Sequence, residues 1–391
     1  MTAPRSRLFV ILLTVFIDLA GFGLILPILP YYAQRFGAGG LGFGTLIGVY
    51  SLMQFVATTG LGRLSDRVGR RPILLTSMLF SMAGHLTFAF AGSYAVLFLA
   101  RTVSGFSAGN ISVAQAYIAD VTSPAERSRG MGLIGAAIGL GFIVGPALGG
   151  LAGHYGGPRA VGLTGASLSF LNLVWAYSVL RESLSAEHRV ARRLLDVEHL
   201  VAGLRDPRIG PLFIVFGLIP FGFSGYMVSL PLYAGRVFGW GGKELGIFFA
   251  LVGVVATVVQ GYVFGKLAKR FGDRLLMILG TLGMALPIAA VPFVGSATSL
   301  YAWVLVLAFC NSMCAPALTG LISTYAGLTE QGAMLGAAQS MSALGRFSGP
   351  FLFGEVYDRA GSTAAFVAAG SVLVIAGMVA MRARGEKTIA D

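Results

Sequence analysis

Charge is what this 391-residue chain has least of. Asp, Glu, Lys and Arg make up 11% of it, where soluble globular chains carry about 25%. Acids are scarcer than bases, 16 against 28, and long stretches hold no charge or one. A chain this apolar, with 56% hydrophobic residues, is neither disordered nor an ordinary cytosolic enzyme. Cysteine is nearly absent. Cys310 and Cys314 lie four apart in one apolar run, a spacing that suits one helix face and bridges poorly, so core or pore-lining thiols are expected rather than a disulfide. The sequence also lacks a metal-ligand cluster, a Gly-Lys-Ser/Thr phosphate loop and a nucleophile–base set. No metal, no cofactor and no catalysis are therefore expected. The net charge of +12 would suit DNA, but the bases cluster briefly between apolar runs instead of coating a face, which excludes a nucleic-acid partner.

What is present is apolar length. About 20 residues of helix cross a hydrocarbon layer, and twelve runs qualify: 8–31, 44–62, 72–91, 94–118, 131–153, 159–180, 209–233, 245–265, 274–293, 299–325, 333–355 and 362–381. The first is too long for a cleaved signal and has no small-residue cleavage site after it. Glycine, at 56 residues, is enriched as expected where helices approach backbone to backbone. Placing the N-terminus in the cytoplasm puts 21 of the Lys and Arg residues on inside segments. They cluster at Arg5 and Arg7, Arg63 to Arg71, Arg127 and Arg129, Arg181 to Arg208, Lys266 to Arg274, and Arg382 to Lys387. Only five, Arg35, Arg159, Arg236, Lys243 and Arg359, fall outside. That asymmetry predicts both termini inside and an even number of spans.

The longest polar stretch, 181–208, lies midway and carries both signs of charge. It reads as a cytoplasmic linker between six-helix bundles at 1–180 and 209–391. Three echoes support a duplication: GRLSDRVGRR at 62–71 and GKLAKRFGDR at 265–274, Gly145-Pro146 and Gly349-Pro350, Leu29-Pro30 and Leu230-Pro231. Their offsets are 203, 204 and 201 residues. The expected architecture is an all-α integral membrane protein of twelve helices in two parallel halves, able to rock about a central cavity.

Several of these strings carry a resemblance. Gly62 to Arg71 packs two glycines, Asp66 and four arginines into ten residues. LARTVSG, Leu99 to Gly105, is built around Arg101. Asp18, Gly21, Gly23, Pro27 and Pro30 punctuate the first run, and Gly132, Gly141, Gly145, Pro146, Gly149 and Gly150 the fifth. YIAD, Tyr117 to Asp120, is followed by Glu126 and Arg127. On these residues the whole chain resembles the major facilitator superfamily, in particular the twelve-helix drug:proton antiporters that include the tetracycline exporters. The resemblance implies a multi-pass protein of a bacterial plasma membrane, working as a single chain on a small molecule and protons. It also implies a cytoplasmic latch from Gly62, Asp66, Arg67, Gly69, Arg70 and Arg71, with Asp120 as partner. Two departures stand out. Ser104 replaces a common Gln, and the runs 72–91 and 274–293 hold no acid where tetracycline exporters carry one, so tetracycline itself is a poor fit.

The same residues have physical readings of their own. Gly62 and Gly69 allow a tight turn. Asp66 could cap a helix or pair with Arg67 or Arg70, or the arginines could simply enforce topology. Lys269 stands where the echo would need Asp66, so a symmetric latch is not expected. Asp18 sits deep in the first run, where an acid costs about 2.5–3.5 kcal/mol to insert. With Arg101 as the opposing charge it is either a proton carrier or a static brace. Gly141, Gly145 and Gly149 share one helix face against a neighbour, as a sealed antiporter seam or as generic glycine packing, and Pro146 favours a kink. Arg346 either meets an anionic substrate or braces its own half. Gln54, Asn110, Gln115, Asn311 and Gln339 are candidates for the cavity wall, whereas His85 reads as a packing residue.

Proton-driven export of a lipophilic compound is the expected function. A metabolite or lipid carrier for a sugar, amino acid or lysolipid, and a non-transporting membrane sensor or scaffold, are the alternatives.

Overall fold

The computed structural model describes residues 5–122, 124–184, 197–326 and 331–382. Arg189, Arg192, Arg193, Arg384 and Lys387 of the charge clusters, with 185–196 of the linker, lie outside the described residues. So do the side chains of Arg5, Arg7, Glu126, Arg127 and Arg129. Helix accounts for nearly everything described. The order is α1 (Arg5–Ile25), α2 (Leu29–Gln34), α3 (Gly40–Val68), α4 (Arg70–Ala89), α5 (Tyr94–Ser107), α6 (Asn110–Val121), α7 (Pro124–Val179) and α8 (Val197–Arg205). Then come α9 (Gly210–Phe238), α10 (Gly242–Val258), a π-helical turn (Val259–Val263), α11 (Phe264–Ala290), a 3-10 turn, α12 (Ala297–Tyr325) and α13 (Gln331–Arg382). No strand occurs among the described residues, as expected where hydrocarbon leaves every backbone group to be satisfied within its own helix.

Among the described residues, nine stretches are long and apolar enough to cross a membrane. The outward faces are apolar too: Leu171, Leu286 and Phe293 are all more than half exposed. In water such a surface would aggregate, whereas against lipid tails it costs nothing.

Three of the nine stretches are 49 to 52 residues long. Each is broken once by a glycine of non-helical conformation: Gly157 (φ 65°) in α7, Gly272 (φ 74°) in α11 and Gly361 (φ 84°) in α13. Among the described residues, six glycines have positive φ: Gly37, Gly69, Gly157, Gly239, Gly272 and Gly361. They fall into three pairs separated by 202, 203 and 204 residues, so the backbone carries the same repeat as the sequence echoes. A left-handed residue that ends a helix is costly for any side chain with a Cβ, which explains glycine at each.

Elements differ from the apolar runs in three places. Residues 62–68, expected as part of a loop, are helical, and Gly69 alone (φ 114°, ψ 158°) separates α3 from α4. The run 94–118 is two helices, because Ala108 and Gly109 form a turn between α5 and α6. The run 8–31 ends its helix at Ile25 and restarts at Leu29, with Pro30 in the first turn, where the missing N–H is harmless.

The described chain forms two compact units, one of residues 1–195 with 231–254, the other of 196–230 with 255–391. The first therefore takes in the end of α9 and most of α10, an allotment different from bundles bounded at 180 and 209. Close backbone contact is the reason. A Cβ on Gly150 would lie 2.8 Å from the Gly242 carbonyl oxygen and 3.1 Å from the Gly246 Cα, and Tyr31 Oη donates to the Trp240 carbonyl at 2.6 Å.

Within this unit α7 lies on α1. A Cβ on Gly141 would stand 2.9 Å from the Phe16 carbonyl oxygen, and Gly145 and Gly149 press on Ala20 and Leu24 in the same way. In the second unit, Gly345 and Gly349 of α13 press on Gly217, Phe221 and Ser224 of α9, the same seam about 200 residues on. Gly132 is different: nothing lies within 4 Å of its Cβ position.

Gly149→Val should overpack the seam at a cost of about 1–3 kcal/mol, while Gly132→Ala should be neutral or slightly stabilising. Thermal melts of the solubilised protein check this; equal losses at both positions would refute the packing account.

Candidate functional site

Asp18 lies on a stripe of α1 with Gly21, Phe22 and Ile25, residues spaced to share one helix face. This stripe meets Tyr50 of α3, Ser81 and His85 of α4, and Arg101 and Ser104 of α5 around a small cavity in the first unit. Asp18 is 8% exposed and Arg101 1%. The expected pairing of these two charges is not what holds either. Asp18 Oδ2 accepts instead from the Asn110 side-chain amide, and no Asp18–Arg101 ion pair occurs among the described residues. Arg101 is drawn the other way. Its Nε donates to the Leu46 carbonyl at 3.3 Å, and its guanidinium lies 4.3 Å from the Tyr50 ring centroid and 5.6 Å from that of Phe22. Aromatic faces attract a cation without consuming its N–H groups. Both terminal nitrogens of Arg101 are accordingly buried without a hydrogen-bond partner, as are Ser104 Oγ and Asn110 Oδ1. Unsatisfied buried polar groups each cost about 1–3 kcal/mol, and several of them gather around Asp18 and its cavity.

His85, read from sequence as packing, belongs to the same cavity. Its Nδ1 lies 2.8 Å from the Ser81 carbonyl oxygen, and its ring fits between Gly21 of α1 and Gly165 of α7. No sequence spacing links residues 21, 85 and 165; only the packing of three helices does.

The arginine cluster forms a second constellation. Arg70 pairs with Asp66 at 2.7 Å and, through Nε, with Asp120 at 3.1 Å, while its Nη1 donates to Ser65 Oγ at 2.6 Å. Arg70 is thus the hub, and Asp120 is beside it as the resemblance implied. Arg67 is exposed. Arg71 donates to the Tyr177 carbonyl at 3.0 Å and lies over the Tyr177 ring. Glu182 escaped the sequence reading altogether. Its carboxylate accepts from the backbone N–H of Arg70 at 2.8 Å and of Arg71 at 3.2 Å, anchoring the start of α4 where free N–H groups and the helix dipole favour an anion. Gly69 makes room, since a Cβ there would collide with that carboxylate. Gly62 is less tight, 3.2 Å from Ser112 Oγ by the same measure. In the echo Lys269 is exposed in α11.

The fifth-run motif divides by face. Gly141, Gly145 and Gly149 meet α1, Gly150 meets α10, and Pro146 touches Gly23. Of the proposed cavity residues, only Asn110 joins the Asp18 cluster. Gln54 and Asn311 are half-buried, and Gln115 and Gln339 are exposed. Arg346 donates to Ser342 Oγ one turn away in α13 at 2.6 Å. Cys310 and Cys314 are buried free thiols, and Cys314 Sγ donates to the Cys310 carbonyl.

A bundle of apolar helices enclosing buried charge defines a membrane transporter. The family model of the Major Facilitator Superfamily matches residues 11–270 and 255–389, and the chain belongs to that superfamily. It is 30% identical over 362 residues to multidrug resistance protein 2 of Bacillus subtilis (strain 168), covering 90% of each chain. It is 32% identical over 363 residues to the class E tetracycline resistance protein of Escherichia coli, covering 90% of this chain and 88% of that one. Among solved structures it is similar to the human organic anion transporter MFSD10, with 25% identity, a TM-score of 0.72 and coverage of 97% and 100%.

Glu182→Ala should cost about 1 kcal/mol, the usual worth of a helix cap, and should raise hydrogen exchange at the Arg70 and Arg71 amides. Unchanged exchange at those two amides would mean that Glu182 does not cap α4.

Proposed function

We propose that this chain is a proton-coupled exporter of lipophilic small molecules, working by alternating access in a bacterial plasma membrane. The observation that carries the reading is Asp18, a carboxyl lining a small intramembrane cavity with an amide for a partner and a cation nearby. Such a group is able to take up and release a proton. A proton taken from outside as substrate leaves, and released inside as substrate loads, would let the gradient drive export.

The twelve-span layout fits this function. Dividing the three longest of the nine apolar stretches at Gly157, Gly272 and Gly361 yields twelve segments, each near the length that crosses a bilayer. The charge asymmetry then favours both termini in the cytoplasm, and the paired glycines support two six-helix halves joined through 181–208. The Arg70 hub, with Asp66 and Asp120, is suited to latch the cytoplasmic end in one state. Similarity to multidrug and tetracycline resistance proteins supports drug-like cargo. The absence of acids from 72–91 and 274–293 favours cargo other than tetracycline.

A second reading, a carrier for an anionic metabolite or lysolipid, is favoured by Arg346, whose described partner is a serine of its own helix rather than an acid. The similarity to a human organic anion transporter supports it.

Everted, respiration-energised vesicles with a pH-quenched dye test both, using lipophilic cations, neutral drugs and lysolipids. A compound should dissipate the gradient with the native protein, and Asp18→Asn should fall to the level of vesicles without it. An equal response from the variant would make Asp18 a brace and sink the coupling. A response to lysolipids alone, lost in Arg346→Gln, would favour the second reading.

A further inference from the structure

We propose that His85 is a second proton-exchanging group, sharing one transported proton with Asp18 across the cavity. This rests on the proton-coupled reading above and adds the route the proton takes.

The argument begins with the imidazole's hydrogen bonds. Nδ1 faces the Ser81 carbonyl at 2.8 Å, and a carbonyl only accepts, so the ring must carry its proton on Nδ1. In the neutral tautomer Nε2 is then a bare lone pair. It is buried with no hydrogen-bond partner, and it faces the backbone of Gly21, where an added Cβ would stand 2.8 Å away. A proton on Nε2 would turn this unused lone pair into a donor beside the cavity that Asp18 also lines. A histidine serving only as filler would not need a bare acceptor there.

The surroundings balance the charge. From α1 the titratable neighbour is Asp18, from α3 Tyr50 and from α5 Arg101, while α7 presents only Gly165 and Ser169. With Asp18 ionised, Arg101 charged and His85 neutral, the cluster carries no net charge. One added proton makes it +1 whether it rests on Asp18 or on His85. Transfer breaks the carboxyl O–H bond of Asp18 and forms Nε2–H on His85, leaving carboxylate and imidazolium, and returning the proton restores the first state. The close fit of the ring between Gly21 and Gly165 holds it in place for this exchange.

The chain has four histidines, so a variant with His154, His188 and His199 replaced by Gln leaves His85 as the sole reporter. Nitrogen-15 spectra of this protein should show the Nδ1–H tautomer at high pH. An imidazolium should form on acidification, and Asp18→Asn should move that transition to lower pH because the compensating carboxylate is gone. A His85 that stays neutral between about pH 5 and 8, or a transition that Asp18→Asn leaves in place, overturns the proposal. In proteoliposomes, His85→Gln should slow gradient-driven transport by about tenfold or more and flatten its pH profile, while substrate counterflow, which moves no net proton, stays within about twofold. An unchanged pH profile in His85→Gln also overturns it. If instead Asp18→Asn retains full gradient-driven transport, proton coupling through Asp18 itself has failed, an outcome readable separately from the His85 spectra.

Discussion

The close approach of α7 to α1 is the constraint on which the rest depends. Gly141, Gly145 and Gly149 present bare backbone to Phe16, Ala20 and Leu24, and in a bilayer such contact supplies the attraction that the hydrophobic effect supplies in water. Because α1 is held there, Asp18 faces inward rather than toward lipid, where its charge would be intolerable. Gly21 and Gly165 then leave the gap that the His85 ring fills. The seam and the charged cavity are therefore one construction: side chains on α7 would separate the helices and leave the carboxyl without its surroundings.

Two buried cations are handled by different physics. Arg70 is fully paired, with two carboxylates and a serine hydroxyl, and its backbone N–H is capped by Glu182. A satisfied network of this kind favours one arrangement strongly and suits a contact that must be either made or broken. Arg101 is held by ring faces and one carbonyl, with two nitrogens unused. It imposes a positive field on the cavity without quenching Asp18. That difference fits the roles proposed for them, a latch at Arg70 and a titrating site beside Arg101.

The sequence made the general construction legible. Apolar length, the charge asymmetry and the offset echoes pointed to a duplicated helical membrane protein, and the paired positive-φ glycines carry the same offset. Asp66 and Arg70 were recognisable as a pair from their i,i+4 spacing, and Asp120, fifty residues on, only through the family resemblance. Less was legible where a partner lay far along the chain. Glu182 is more than a hundred residues from the α4 amides it caps, and nothing in a lone Glu after an apolar run indicates a cap. Asp18 and Arg101 looked like a pair because opposite charges at similar depth attract; Asn110 and the Tyr50 ring intervened.

What the sequence by itself determined is whatever follows from composition and periodicity: an apolar helical chain in a membrane, its repeat, and the placing of Asp18 and Arg101 within its spans. These are one-dimensional properties, since insertion cost is summed residue by residue along each span. Tertiary structure alone decided which buried groups meet. His85 is joined to Asp18 by the crossing of α1, α4 and α7, and the helix faces that turn inward depend on where glycine lets two backbones touch. Pairing between helices is a matter of distances in space, and a chain encodes those only through the packing of all its helices at once.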